Sequence, residues 1–331
     1  MATDPLRIGI LGAARIAPWA LLHPVRRVGN AAVVAVAARD AARAQAFAGK
    51  HGIPRVHASY EALLADPEIE AIYNPLPNSL HAEWTIRALE AGKHVLCEKP
   101  FAANAAEAEA MAAAASRAGR TLMEAFHYRY HALFARMRSI LDAGELGAVR
   151  HLEASLCIPI LRRDDIRWRR DLAGGAMMDT GCYTMSLLRH LTGAEPEVVS
   201  ARAIWTTGGV DRWLTADLRF PDGRTGRLTC ALLSATLIRV SAGVVGDAGT
   251  LGVINWVAPQ FYHRLRVRTT AGRRVERVAG EPTYDAQLRA FVAAVRDGAP
   301  FPTGPADAVA NMRAIDAVYA ATGRPAWTGQ R

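Results

Sequence analysis

The feature that most restricts this chain is a short apolar run that ends abruptly in a glycine turn: Leu6–Leu11, then Gly12-Ala13-Ala14-Arg15-Ile16-Ala17. A run that short suits a buried strand better than a core helix. A second run, Ala31–Ala38, follows after an interval of helical length. Together they make a strand–helix–strand unit, which requires a parallel pair and a right-handed crossover. The alternation continues. Further strand-like runs lie at Ala71–Asn74, His94–Cys97 and Thr121–Ala125, and helical segments at Asp40–His51, Tyr60–Ala65, His81–Ala91 and Ala105–Ala118. Over residues 1–125 this predicts a doubly wound α/β domain of the Rossmann type.

The pattern changes after Phe126. Phe134–Ala143 reads as a helix, and strand-like runs then dominate, at 149–158, 197–205, 215–220, 226–234, 238–246, 250–255 and 264–269. Pro221-Asp222-Gly223 is a hairpin signal between two of them. One helix interrupts at Asp179–Leu191, and two close the chain, Tyr284–Asp297 and Pro305–Thr322. Strands in succession predict an α+β domain over 126–331, with a large, mostly antiparallel, open-faced sheet. The last helix is expected to pack back on the first domain. A sheet face of that size needs covering, which predicts a homo-oligomer, a dimer or tetramer.

Composition excludes several classes. A chain of 331 residues that is 51% hydrophobic and 21% charged is neither disordered nor of low complexity. No apolar run approaches the ~18 residues of a membrane span, and the start lacks the basic and apolar regions of a signal peptide. Cys97, Cys157, Cys182 and Cys230 are scattered, without the paired spacing of a zinc site; reduced thiols in the cytoplasm, and no metal, are the expectation. The net charge of +9 does not point to nucleic acid. Its densest run, Arg162–Arg170, is interleaved with Asp164 and Asp165, and no nucleic-acid motif accompanies it. An anionic small molecule is the better match.

The turn at Gly12 has the context that a dinucleotide fingerprint demands, a strand before and a helix after. Small residues there let backbone N–H groups and a helix N-terminus approach a pyrophosphate. The spacing is Gly12-x-Ala14-x-x-Ala17, with alanine in the second glycine position; alone it also suits a tight turn in another α/β protein. Strand two ends in Ala38-Arg39-Asp40. Arginine there accommodates the 2′-phosphate of NADP, whereas an acidic residue bonds the ribose of NAD. Arg39 favours NADP(H) over NAD(H); a shift of one residue would put Asp40 in the deciding position. The bland alternative for Arg39 is a solvated helix start.

Of 40 cationic residues, 37 are arginine and three are lysine: Lys50, Lys93 and Lys99. Lys50 and Lys93 lie near helix ends, where cations are ordinary dipole partners. Lys99, in Glu98-Lys99-Pro100, follows the strand His94–Cys97, and ligands of parallel sheets bind outside the carboxyl ends of strands. Lysine is a compact charge that can give up a proton, which arginine does not do. In the second domain, Gly174-Gly175 precedes Asp179 and Tyr183, four residues apart and so on one helix face. The glycines let the backbone pass close to something. A carboxylate and a phenol on one face can polarise a hydroxyl; a helix-start aspartate with a core tyrosine is the structural alternative.

Several stretches together resemble the glucose–fructose oxidoreductase / inositol dehydrogenase (Gfo/Idh/MocA) family. They are Ile8–Gly12, Ala38–Asp40, Pro75–His81, Ala91–Pro100 and Gly174–Tyr183, in order along nearly the whole chain. Met123–Phe126, Arg129–His131 and Trp168-Arg169 are similar to its branch of NADP-dependent D-xylose dehydrogenases and dimeric dihydrodiol dehydrogenases. The resemblance implies that Lys99 bonds the reacting oxygen, Tyr183 is the general acid/base and Asp179 orients the substrate. It implies a cofactor surface of Gly12, Ala13, Ala14, Arg15, Ile16, Arg39, Asn74, Pro75, Leu76, His81, Glu98 and Lys99, with Trp168 and Arg169 reaching toward it. Many inositol-dehydrogenase-like members carry histidine where this chain has Tyr183.

The chemistry is coherent. A free phenol titrates near ~10, too high for a base at neutral pH, and an adjacent ammonium lowers that value. Lys99 and Tyr183 are therefore expected to act as a coupled pair across the domain cleft. The implied activity is NADP(H)-dependent hydride transfer at a C–OH/C=O centre of a sugar, cyclic polyol or dihydrodiol. The alternatives are a ketoreductase of nucleotide-linked sugars, whose diphosphate would meet Arg162–Arg167, and a non-catalytic NADP-binding sensor or scaffold.

Overall fold

The computed structural model describes residues 4–325 and residue 327. The reading of the extreme N-terminus as lacking a leader falls in part on Met1–Thr3, outside the described residues. The chain forms two compact units. One contains the chain through Ala102, Ala106–His127 and Tyr284–Val309; the other contains Ala103–Ala105, Tyr128–Thr283 and the chain from Ala310 onward.

The first unit is built on a six-stranded parallel sheet. Its strands are β1 (Leu6–Leu11), β2 (Ala31–Ala37), β3 (Arg55–His57), β4 (Ala71–Asn74), β5 (His94–Cys97) and β6 (Leu122–Glu124), in the order β3-β2-β1-β4-β5-β6. The order reverses between β1 and β4, and that switch point opens a crevice at the strands' carboxyl ends. Every residue of β4 is buried, as a strand covered on both faces must be. β3 carries no legible strand signal, because Arg55-Val56-His57 is only three residues long with a single apolar member. The helices are α1 (His23–Val28), α2 (Ala41–His51), α3 (Tyr60–Ala65), α4 (His81–Glu90) and α5 (Ala105–Ala118). α2 starts because Asp40 accepts the Arg43 N–H at 3.0 Å, an N-cap of about 1 kcal/mol. It stops at Gly52, in left-handed conformation.

The second unit holds an eight-stranded sheet, β14-β13-β12-β11-β7-β10-β9-β8. Its strands are β7 (Val149–Cys157), β8 (Glu197–Trp205), β9 (Asp211–Arg219), β10 (Thr225–Ala231), β11 (Arg239–Gly246), β12 (Gly249–Ile254), β13 (Arg264–Thr269) and β14 (Gly272–Glu276). All neighbours are antiparallel except β7 and β10. Alternation sorts the faces: Leu152, Ala154 and Leu156 of β7 and Leu265 and Val267 of β13 are buried, while Glu153, Arg266 and Arg268 between them are exposed. The edge strand β14 escapes sequence reading because arginine and glutamate dominate it; Arg274 and Glu276 are spent on ion pairs.

Helix α6 (Ala132–Asp142) precedes this sheet, and α7 (Cys182–Thr192) packs on it. The helix expected from Asp179 does not begin as an ordinary α-helix. Residues Met177–Gly181 form a widened π turn, with the Cys182 N–H donating to Met177 O. The four-residue spacing of Asp179 and Tyr183 therefore spans a change of helical pitch. Such turns concentrate at functional sites. Two helices close the described chain, α8 (Thr283–Asp297) and α9 (Pro305–Ala321).

Candidate active site

In the first unit, the turn after β1 is held by the Gly12 N–H, which donates to Ala37 O of β2 at 2.7 Å. Gly12 has φ +83°, and a Cβ there would lie 3.0 Å from Leu76 Cδ2. Glycine is thus required by backbone sterics, and Leu76 is the residue it must clear. Ala13 and Ala17 are buried and let the turn pack on the sheet, whereas Ala14 is half-buried and Arg15 and Ile16 are exposed along the rim. Arg43 donates to Ala13 O at 3.0 Å and braces the turn from α2.

Arg39 lies exposed just past β2. The Asp40 carboxylate is occupied in capping α2, so the cations Arg39 and Arg43 characterise this corner. Tyr60, which sequence reading did not single out, faces the backbone N–H of Arg39; burial pushes its pKa up, and Arg39 and Arg43 pull it back. A cradle that only glycine fits, flanked by two guanidiniums, fits the pyrophosphate and 2′-phosphate of a dinucleotide.

The β4 and β5 ends are joined by buried polar groups. Asn74 donates to His81 O at 3.3 Å and to Thr85 Oγ1 at 3.0 Å, and accepts the Leu76 N–H. The His81 ring lies 2.8 Å from both Leu76 O and Pro100 O. Two carbonyls would favour the protonated ring, but complete burial dominates and holds its pKa down at about 4. Glu98 accepts the Tyr73 hydroxyl at 2.7 Å. The His81 ring thus ties the Pro75–His81 segment to the Lys99 loop, Asn74 ties the end of β4 to the start of α4, and Glu98 ties the end of β5 to Tyr73 of β4. The Lys99–Pro100 peptide is cis, which the sequence did not reveal.

Lys99 is half-buried, and its charge is felt at His81 and at the fully buried His127. Burial, with Lys99 second, drives the His127 pKa down to about 3. The imidazole is thus neutral and adds no charge to compete with Lys99. His127 stacks at 4.1 Å on Tyr284, 157 positions away by number, and no local pattern could have announced it. Lys93 also differs from expectation. Its ammonium is not an exposed dipole partner but is buried, donating to Asp66 O and Ile69 O, each at 2.7 Å.

In the second unit, Tyr183 is 6% exposed, in the first turn of α7. The rings of Tyr128 and Trp256 lie 6.0 and 6.4 Å away, and Tyr128 is fixed by a 2.9 Å hydrogen bond with Ser186. Asp179 pairs with Arg167 at 2.8 Å. Arg167 also meets Asp165 at 3.1 Å, and the charge of Asp179, with that of Asp165, raises its pKa. Arg167 was visible only as one member of a basic run. Trp168 is half-buried, and Arg169 is exposed and paired with Asp171. Arg162 pairs with Asp164 at 2.6 Å. Much of the arginine run is thus neutralised by its own neighbours.

The Gly174-Gly175 turn approaches protein and needs no ligand to explain it. Gly175 has φ +136°, and a Cβ there would overlap Asp211 Oδ1 at 2.1 Å. Asp211 is 1% exposed, and burial pushes its pKa up to about 7.

A parallel sheet with a glycine turn at its switch point defines a dinucleotide-binding Rossmann fold, here followed by an α+β unit that carries Asp179 and Tyr183. Comparison with known proteins makes the class particular. Residues 6–126 match the oxidoreductase family with an NAD-binding Rossmann fold, and residues 134–252 the GFO/IDH/MocA C-terminal domain. The chain belongs to the Gfo/Idh/MocA family. It is 36% identical over 321 residues to D-xylose 1-dehydrogenase (NADP(+)) 2 of Haloferax volcanii, covering 95% of this chain and 96% of that one. It is 37% identical over 296 residues to dTDP-3,4-didehydro-2,6-dideoxy-alpha-D-glucose 3-reductase of Streptomyces violaceoruber, covering 88% and 85%. Among solved structures, a 3-ketoreductase from Actinomadura kijaniata, in a tyrosine-to-phenylalanine variant complexed with TDP-benzene and NADP, superposes with a TM-score of 0.90 at 31% identity. That match covers 96% of this chain and 98% of that one. An aldose-aldose oxidoreductase from Caulobacter crescentus complexed with glycerol gives 0.88 at 28%, covering 98% and 100%.

Proposed function

We propose that this oxidoreductase uses NADP(H) and acts at a C–OH/C=O centre of a sugar, cyclic polyol or dihydrodiol. The observation that carries the reading is the presentation of Lys99: a lysine just past the carboxyl end of β5, on a loop tied through Pro100 to the His81 ring. The NADP-dependent xylose dehydrogenase and the NADP-complexed ketoreductase among its relatives support the cofactor. Variants of that ketoreductase with a lysine or a tyrosine replaced are also among the similar structures, which supports these two residue types as the working pair.

Bound NADP(H) supplies or accepts the hydride. Lys99 donates a hydrogen bond to the reacting oxygen and stabilises negative charge as it develops there. Tyr183 gives the proton to that oxygen in reduction, or takes it in oxidation, its phenolate favoured by a cation. Asp179 accepts a substrate hydroxyl, held in place by Arg167. The turn Gly12-Ala13-Ala14 would hold the pyrophosphate, Gly12 by giving room rather than by its own N–H, and Arg39 would hold the 2′-phosphate. A nucleotide-linked ketosugar is the second reading, favoured by the 3-reductase relatives. Arg162 and Arg169 argue for the smaller substrates, since each is already paired with an aspartate.

We also assign the protein to the cytoplasm and to a homodimer or homotetramer. All four cysteines are buried thiols rather than disulfides, which supports a reducing compartment. The second unit's sheet exposes Val245, Ile254 and Val275, which supports coverage by another copy. Size-exclusion chromatography with light scattering measures that; a monomer refutes it. The activity is tested by following NADP⁺ and NADPH absorbance across aldoses, polyols, dihydrodiols and nucleotide-linked ketosugars. Lys99→Ala is expected to cut turnover by about 10²-fold or more while NADPH still binds. Near-wild-type turnover in Lys99→Ala sinks the assignment.

A further inference from the structure

We propose that Asp211 is a positioning residue: from outside the helix it anchors the Gly174–Gly181 segment and so sets where Asp179 and Tyr183 stand. The inference rests on the proposed roles of those two residues. Asp211 is the first residue of β9, and its side chain reaches the start of the π turn. The Met177 N–H donates to Oδ2 at 2.7 Å, the Ala176 N–H also donates to the carboxylate, and the Tyr319 hydroxyl donates to Oδ1 at 3.0 Å.

A buried carboxylate is costly unless its acceptor sites are filled. Here they are filled by the N–H groups that the first turn of a helix leaves unpaired within itself. Asp211 thus does for a helix start, from 34 residues away, what an N-cap does locally. Two further features fit a rigid anchor. Gly175 must lack a Cβ, because one would overlap Oδ1, so the turn closes directly onto the carboxylate. The π turn that follows places Asp179 two residues and Tyr183 six residues beyond the anchored Met177 N–H. Any slack there is transmitted through one helical turn to both groups. The groups around the carboxylate are Tyr319 from α9, Cys182 from α7 and Cys230 from β10. Arg170 and Arg324 line a small cavity of about 40 Å³ beside it.

The test compares wild type, Asp211→Asn and Tyr319→Phe by hydrogen exchange, with and without NADPH, and by kinetics on substrates that the absorbance panel turns over. An asparagine oxygen accepts, but its NH2 cannot, so the carboxylate's acceptor sites for Met177, Ala176 and Tyr319 shrink to one neutral oxygen and the Tyr319 hydroxyl must turn to accept; the anchor on the N–H groups weakens. Exchange is expected to speed up at residues 177–183 in Asp211→Asn, and less in Tyr319→Phe, with the first unit's protection and its NADPH affinity unchanged. kcat is expected to fall between about tenfold and a hundredfold. In a Tyr183→Phe background, Asp211→Asn is expected to add little, because both act on one step. Unchanged exchange at 177–183 in both variants overturns the anchor. Full additivity with Tyr183→Phe overturns the positioning role. Hydrogen exchange needs no substrate, so a failure of the proposed activity leaves the anchor separately decided. If Asp211→Asn does not fold, Tyr319→Phe decides by the same two measurements.

Discussion

Arg39→Ala isolates the basis of cofactor choice. The residue stands exposed past β2, and the adjacent Asp40 carboxylate is occupied by the Arg43 N–H at 3.0 Å. A hydrogen bond between charged partners contributes about 1.5–3 kcal/mol. Solvent and salt screen an exposed arginine, so the lower end applies. At about 1.4 kcal/mol per decade, NADPH affinity is expected to fall about tenfold. NADH lacks the 2′-phosphate, so its affinity is expected to change by less than about twofold. Fluorescence titration of both cofactors at one ionic strength measures the two together, and the NADPH loss is expected to shrink as salt rises. Arg43→Ala is the control. It removes the bond to Ala13 O that braces the turn, and is expected to weaken both cofactors. Equal losses for NADPH and NADH in Arg39→Ala refute the assignment, as does no loss for either.

Gly12→Ala must hold φ +83° with a side chain, at a cost of about 1–2 kcal/mol; lower NADPH affinity and a lower Tm are expected, checked by titration and calorimetry. Lys93→Met leaves Asp66 O and Ile69 O without their ammonium donor, and is expected to cost roughly 2–3 kcal/mol in denaturant unfolding with kcat unchanged. Glu276 is held at about 2 by Arg136 first and Arg274 next, against burial. Its folded value lies below its unfolded one, so its stabilisation is complete above about pH 4.5 and is lost as pH falls toward 2. Glu276→Gln is expected to flatten that part of the stability curve, followed by thermal melts between those pH values; an unchanged slope refutes it.

The placement of the candidate site was partly legible in the sequence. The glycine turn after β1, the position of Arg39 past β2 and that of Lys99 past β5 each follow from a local signal of a few residues. Their braces do not. His81 reaches Pro100, 19 residues on, and Asp179 is held by Arg167 across an irregular segment. The glycine pair at 174–175 was legible as a close approach, but its partner was not, because Asp211 lies on a different element.

What the sequence determined alone is what short-range physics determines. Apolar runs of strand length, separated by helical segments, force a parallel sheet, and positive-φ positions demand glycine where the chain turns sharply. Alternating patterns then make the second unit a sheet with one buried face. Tertiary structure decided everything that depends on groups distant in the chain. It decided the order of the strands, the parallel pairing of β7 with β10, the internal hydrogen bonds of His81 and Glu98, and the burial of Lys93. It also set the charge environment of Lys99 and the anchoring of the Tyr183 segment by Asp211. Burial and hydrogen-bond partnership arise only when distant residues meet, and those two quantities hold the His81 and His127 rings neutral and fix the segment that carries Asp179 and Tyr183.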